Sequence, residues 1–271
     1  MRIGSLFSGI GGLELGLERS GLGHTVWQVE KDEYCRQILA RHWPNAHRAE
    51  RCEHVGARNL QPVDLICGGF PCQDISSAGK GAGLAGKRSR LWFAFARVVS
   101  EMRPRWVVVE NVASGAKRWV DAVCTSLGQL GYETLPIPLS AQDVGAPHLR
   151  RRVFVIAYSN RGTLREQPRG RSGPSWQKAL LPTSDGPERA PCHPDRDGES
   201  AQPVDAQVAR LSGMAGDSPP WAFAPEFCGM DDGIPHRVER LRALGNAVVP
   251  QCAEVIGHVI LELERSVTGK S

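Results

Sequence analysis

The sequence predicts an α/β fold, a mostly parallel twisted sheet flanked by helices, with a small irregular region attached. Three observations predict it. Short apolar runs alternate with amphipathic stretches as far as residue 158, the signature of a sheet whose strands are joined by helices. A glycine-rich turn follows the first run directly. From residue 159 onward the periodicity gives way to Pro, Gly, Ser and Arg, a composition that supplies little core.

The strands are expected at residues 3–7, 25–29, 63–67, 106–109 and 153–157. Leu91, Phe95, Val98, Val99 and Met102 recur at helical spacing, as do Val120, Val123, Cys124, Leu127 and Leu130, so each set marks a helix with one buried face. Residues 161–178 are basic and residues 185–205 predominantly acidic, which fits a loop-rich insert. Val255, Ile256, Val259, Ile260 and Leu263 mark a final amphipathic helix after Gly245-Asn246. The expected organisation is a catalytic and cofactor-binding domain at 1–158, an inserted region at 159–235, and a segment at 236–271 that returns to the first domain.

Composition narrows the function classes. The 271 residues carry 33 Lys and Arg against 29 Asp and Glu, a net charge of +4 that permits a nucleic-acid partner without requiring one. None of the 8 cysteines forms a C-x-x-C pair and the 8 histidines are scattered, so neither a zinc site nor a disulfide framework is expected. The longest apolar runs are too short to cross a bilayer, and Met1-Arg2-Ile3 leads into a strand rather than a signal peptide; the expected location is the cytoplasm.

Four motifs carry chemistry. Phe7-Ser8-Gly9-Ile10-Gly11-Gly12 joins a strand to a helix, where glycines admit close backbone approach and the helix start offers unpaired amides. Glu30 ends the next strand, where a carboxylate can accept the hydroxyls of a ribose; the spacing is not G-x-G-x-x-G, which disfavours a nicotinamide cofactor. A structural tight turn is the plainer reading. Gly68-Gly69-Phe70-Pro71-Cys72-Gln73 sets a thiol at the carboxyl end of a strand, a candidate nucleophile, although a lone cysteine is more often a small buried hydrophobe. Cys35, Cys67, Cys124 and Cys252 are read that way. Glu110-Asn111-Val112 ends a very apolar strand with a carboxylate, costly unless used or paired. Arg150-Arg151-Arg152 precedes the last strand, whose alternation would aim Arg150 and Arg152 the same way, against the plainer reading of a solvated basic edge.

Taken in this order, together with Gly245-Asn246-Ala247-Val248-Val249-Pro250, these blocks resemble the cytosine-5 DNA methyltransferase family over residues 1–158 and again over about 232–263. The resemblance implies a Rossmann-like S-adenosylmethionine-dependent methyltransferase fold with an irregular target-recognition region. It implies Cys72 as the covalent nucleophile on cytosine C6, Glu110 as the acid at N3, and Arg152 with Arg150 at the O2 edge. Phe7, Ser8, Gly9, Gly11, Gly12, Glu30, Pro71, Leu91 and Asn246 would form the S-adenosylmethionine site. The substrate would be double-stranded DNA with its cytosine flipped out, since a stacked base hides its ring face from a thiol. Gln73, Lys80, Lys87, Arg88 and Arg90, in a glycine-interleaved basic loop, would close over DNA, and Arg169 and Arg171 would reach a narrow minor groove. The resemblance further implies a monomer on DNA, no metal, and a separately encoded restriction endonuclease or a phage setting.

The sequence also departs from that family. Glu50, Arg51 and Glu53 occur where an Asp usually contacts adenine, Lys31 stands in place of a bulky apolar residue, His148-Leu149 replaces Gln-Arg, and Ala247 replaces a common serine. The competing readings are a methyltransferase acting on RNA cytosine, a silent DNA-binding relative, and an NAD-dependent oxidoreductase, for which no hydride-transfer site is evident.

Overall fold

The computed structural model describes residues 1–71, 90–159 and 237–268. One seven-stranded sheet runs β3-β2-β1-β4-β5-β7-β6. Its strands are β1 (Arg2–Leu6), β2 (His24–Val29), β3 (His47–Ala49), β4 (Leu65–Gly69), β5 (Trp106–Val112), β6 (Glu133–Leu139) and β7 (Arg152–Tyr158). Strands β1 to β5 pair in parallel, while β7 runs antiparallel to both β5 and β6. The helices are α1 (Gly12–Arg19), α2 (Glu33–His42), α3 (Arg90–Met102), α4 (Ala116–Gln129), α5 (Arg237–Asn246) and α6 (Pro250–Thr268), with one-turn 3₁₀ segments at Cys52–His54 and Gln142–Val144.

The central strands read as unbroken apolar runs because both faces of the sheet are covered. Val107, Val109, Val153 and Val155 pack with Trp92, Phe95, Val98 and Trp119 on the α3 and α4 side. Their alternates Trp106, Val108, Phe154 and Ile156 pack with Leu13, Leu17, Ile256 and Ile260 on the α1 and α6 side. The apolar faces expected on α3, α4 and α6 are the ones buried.

All five expected strands are present, with shifted ends. β4 continues through Gly69, and β5 continues through Glu110, Asn111 and Val112, so the acidic motif lies inside the strand rather than after it. Two strands went unpredicted. β3 is three residues, His-Arg-Ala, with no apolar run, and β6 contains Pro136 and Pro138. Both are edge strands, and β6 tolerates its prolines because two residues of like parity can turn their missing donors to the unpaired side. α5 also falls where no periodicity pointed to a helix.

Cys35, Cys52, Cys67 and Cys252 are buried and Cys124 half-buried. Burial pushes the thiols of Cys35, Cys52 and Cys252 up to about 12 and raises that of Cys67 well above its ordinary value. These are packing thiols, not nucleophiles.

Candidate active site

Parallel pairing brings the carboxyl ends of β1, β2, β4 and β5 to one edge of the sheet, and the reversal of β7 brings its first residue to that same edge. Chain connections diverge there between β1 and its neighbours β2 and β4, the crevice in which open α/β sheets hold ligands. A cavity of about 920 Å³ opens at this point. Of the residues singled out from sequence, Phe7, Gly9, Glu30, Pro71, Leu91, Glu110, Arg152 and Asn246 line it. Ser8 and Gly12 line an adjoining cavity of about 50 Å³ that shares Phe7, Gly9, Glu110 and Asn246 as walls.

The turn after β1 is shaped for close approach. Phe7 holds φ 57°, a left-handed backbone that a bulky residue seldom adopts, and the amide of Ser8 donates to the Val29 carbonyl at 3.2 Å. Gly11 (φ 87°) lines neither cavity; the Trp43 ring fills the place of its missing Cβ, so its role is to form the turn. Gly12 lies directly under the Val248 carbonyl, which lets the segment after α5 cover the turn.

Glu30 is held from both sides. Oε2 accepts from the Gly9 amide and Oε1 from the Asp32 amide, each at 2.8 Å. Each oxygen keeps a second lone pair, so a rigid carboxylate at the β2 tip suits a vicinal diol. Beyond it the cavity wall is charged, with Lys31, Asp32, Glu33, Glu50, Arg51 and Glu53. Arg242 of α5 reaches across to an ion pair with Asp32, and both line the cavity; sequence reading gave no sign of this contact.

The other end of the cavity holds a buried carboxyl. Glu110 is 7% exposed, and Arg152 Nε stands 2.9 Å from its Oε1. Arg152 pairs opposite Val112, two residues on from Glu110, which puts it on the same face as a diagonal neighbour. Burial nevertheless pushes Glu110 up to about 7, with the Arg152 and Arg150 charges opposing the shift only in part. Next to Glu110, Asn111 Nδ2 donates to the Phe70 carbonyl at 3.0 Å while its Oδ1 accepts from the Val112 amide at 2.8 Å. Asn111 therefore fixes the peptide that leads through Pro71 to residue 72.

The expected alternation of Arg150 and Arg152 does not hold. β7 begins only at Arg152, and Arg150 takes a φ of 34°, outside the strand. Its Nη2 donates to the carbonyls of Gly245 at 2.7 Å and Ala247 at 2.6 Å, so it clasps the turn bearing Asn246. Cys72, Gln73, Lys80, Lys87, Arg88, Arg169 and Arg171 lie outside the described residues, and Arg90 opens α3. Among the described residues no cluster of three metal-ligating side chains occurs.

A mostly parallel sheet of this order, with a glycine turn, a ribose-suited carboxylate and a buried acid at one edge, is the fold of the S-adenosylmethionine-dependent methyltransferases. The methyltransferase EhMeth of Entamoeba histolytica shares it, with a TM-score of 0.60 at 16% identity over 97% of this chain and 98% of that one. Residues 1–185 match the family model for C-5 cytosine-specific DNA methylases, and the chain belongs to that family. Type II methyltransferase M.HhaI of Haemophilus parahaemolyticus is 31% identical over 164 residues, which is 59% of this chain and 50% of the relative. Type II methyltransferase M2.BsuMI of Bacillus subtilis is 33% identical over 165 residues, 58% of this chain and 42% of the relative. The chain spans about half the length of the curated relatives it matches.

Proposed function

We propose that the protein methylates C5 of a cytosine flipped out of double-stranded DNA, with Cys72 as nucleophile and S-adenosylmethionine as donor. The observation that carries this reading is Glu110. It is a buried carboxyl raised to about 7 on the wall of the 920 Å³ cavity, and its neighbour Asn111 holds the peptide preceding Pro71-Cys72.

The residues at the sheet edge fit the donor. Glu30 would take the ribose hydroxyls, Phe7 and Leu91 would pack on its apolar parts, and Gly9, Gly12, Ser8, Pro71 and Asn246 would enclose the rest. When bound, the donor supplies an electrophilic sulfonium methyl. The Cys72 thiolate adds to C6 while Glu110 gives its proton to N3, converting the ring to an enamine with nucleophilic C5. Arg152 holds Glu110 in place and stabilises charge developing at the O2 edge. Arg150 acts at one remove, through the turn it clasps. After methylation C5 loses its proton to solvent, the C5–C6 double bond re-forms, the thiolate leaves and N3 returns its proton to Glu110.

Residues 159–235 form the target-recognition region in this reading, with residues 1–158 and 236–271 as the catalytic body. Gln73, Lys80, Lys87, Arg88, Arg90, Arg169 and Arg171 would contact DNA, the cations mainly at phosphates. The protein would act as a cytoplasmic monomer on DNA, in a bacterial restriction-modification system with a separate endonuclease or in a phage-infected cell.

Incubation with cofactor and a duplex bearing 5-fluorocytosine at the target tests the proposal, because fluorine at C5 blocks the final elimination. Wild type should form a denaturation-resistant protein–DNA adduct and Cys72→Ser none. Equal adduct from both proteins would refute the role of Cys72, and transfer to RNA but not duplex DNA would refute the substrate.

A further inference from the structure

The segment joining β3 to β4 contributes Glu50, Arg51, Cys52 and Glu53 to the cavity wall. Its later part is closed on itself, the Asn59 and Leu60 amides donating to the Gly56 carbonyl at 3.2 and 3.0 Å and Asn59 Nδ2 to the His54 carbonyl at 2.9 Å, whereas the 3₁₀ turn that lines the cavity makes one internal backbone hydrogen bond, from the His54 amide to the Arg51 carbonyl at 3.1 Å. Three carbonyls of this turn and its exit meet α3. Arg97 Nη2 donates to the carbonyls of Cys52 at 3.0 Å, Glu53 at 3.4 Å and Val55 at 2.8 Å. Nη1 of the same guanidinium donates to Glu101 Oε1 at 2.6 Å, and Glu101 Oε2 accepts from the Ala57 amide at 3.2 Å. One side-chain pair on a regular helix thus holds acceptors and a donor of the loop from Cys52 to Ala57. Arg97 itself does not line the cavity.

The order of the strands says which part of a ligand meets this loop. The transferred methyl must reach the tips of β4 and β5, where Pro71 and Glu110 stand, and Glu30 offers its carboxylate at the tip of β2. A nucleoside with its reacting group toward β4 and its ribose on β2 extends its base toward the end of β3, where the loop begins. We propose that Arg97 is a positioning residue for the nucleoside cofactor, fixing the backbone at Cys52 and Glu53 as the wall that reads the purine. The inference rests on the assignment of a nucleoside sulfonium cofactor to this cavity. A guanidinium suits the task because its planar fork can serve several carbonyls and a carboxylate together, which a lysine ammonium cannot do with the same geometry.

The test compares wild type, Arg97→Gln and Arg97→Lys as full chains, by calorimetric binding of S-adenosylhomocysteine and of its 6-oxo analogue S-inosylhomocysteine, with thermal melting alongside. The expected result for Arg97→Gln is at least tenfold weaker S-adenosylhomocysteine binding and a shrunken preference for the adenosyl over the inosyl ligand. Arg97→Lys should fall between, and at saturating DNA the KM for the donor should rise more than kcat falls. If either folded variant kept both the wild-type Kd and the wild-type ligand preference, Arg97 would be an ordinary packing residue. A loss of Kd for both ligands in equal proportion, matched by a lowered melting point, would also overturn the role. Failure of the wild type to bind S-adenosylhomocysteine at all would instead remove the cofactor assignment on which the inference stands.

Discussion

Arg152 Nε stands 2.9 Å from Glu110 Oε1, across two antiparallel strands, and yet the carboxyl is pushed up to about 7. An ion pair at that distance favours the charged form, so the upward shift means that withdrawal from water outweighs the guanidinium. The result is a carboxyl that holds its proton near neutrality while aimed by a fixed cation, which is what a proton donor to a pyrimidine nitrogen requires.

A pH dependence follows from that shift. Glu110 carries its proton below about 7 and loses it above. If the protonated form starts the reaction, kcat/KM should decline on the alkaline side with an apparent pKa near that value. Initial rates at subsaturating DNA across the pH range would read this limb, and Glu110→Gln should abolish it. An alkaline limb unchanged in that variant would assign it to another group.

The same substitution separates chemistry from binding. Gln retains the size and one acceptor of the side chain but has no acidic proton, so Glu110→Gln should lower kcat by roughly 10²- to 10³-fold. DNA affinity should change by less than about threefold, because the lost interaction strengthens only as the ring is activated. Filter-binding and turnover measurements on one preparation would settle the split, with parallel losses in both indicating a structural role.

Residues whose signal is local were the ones legible in the sequence. Phe7, Glu30, Pro71, Glu110, Arg152 and Asn246 each sit in a short motif at a strand end or turn, and all six reach the cavity. Arg97, Asn111's bond to Phe70, and the Arg242–Asp32 pair were not legible, because their partners are 41 to 210 residues away in sequence. A helix pattern reports which face is buried, not which carbonyls a half-exposed arginine on that helix will meet. Arg150 was misread for a related reason. Alternation predicts direction only inside a strand, and its positive φ lies just outside one. β6 was missed because prolines argue against a strand until its edge position is known.

Gly16 offers a stability test in which two effects oppose each other. In a helix interior, replacing Gly by Ala ordinarily stabilises by about 1 kcal/mol. Here the added methyl would run into the Pro250 carbonyl and the Ala253 and Glu254 atoms of α6, most of them backbone that cannot rotate aside. Overpacking of this kind costs about 1–3 kcal/mol, so Gly16→Ala should be net destabilising and should lower the melting temperature by several degrees. A stabilised variant would mean that α6 sits further from α1 than described.

Glu14, wholly buried on α1 beneath the glycine turn, gives a prediction whose sign depends on pH. Burial pushes its carboxyl from 4.5 to about 7, and Ser5, Ser8 and Gln28 offset part of that cost without a well-formed hydrogen bond to it. The fold thus prefers the neutral form. This contribution is intact below the unfolded value of 4.5 and is lost progressively as pH climbs toward about 7, above which the penalty is complete. At 1.36 kcal/mol per pKa unit the full swing is on the order of 3 kcal/mol. Glu14→Gln is close in shape and always neutral, so it should match wild type near pH 4.5 and become more stable than wild type by an amount that grows up to pH 7 and then levels. Urea melts of the two proteins across that interval measure the difference directly and cancel the titration of Glu110, which both share. A difference that stayed flat with pH would show that Glu14 is ionised and paired inside the fold, and that burial does not govern its charge.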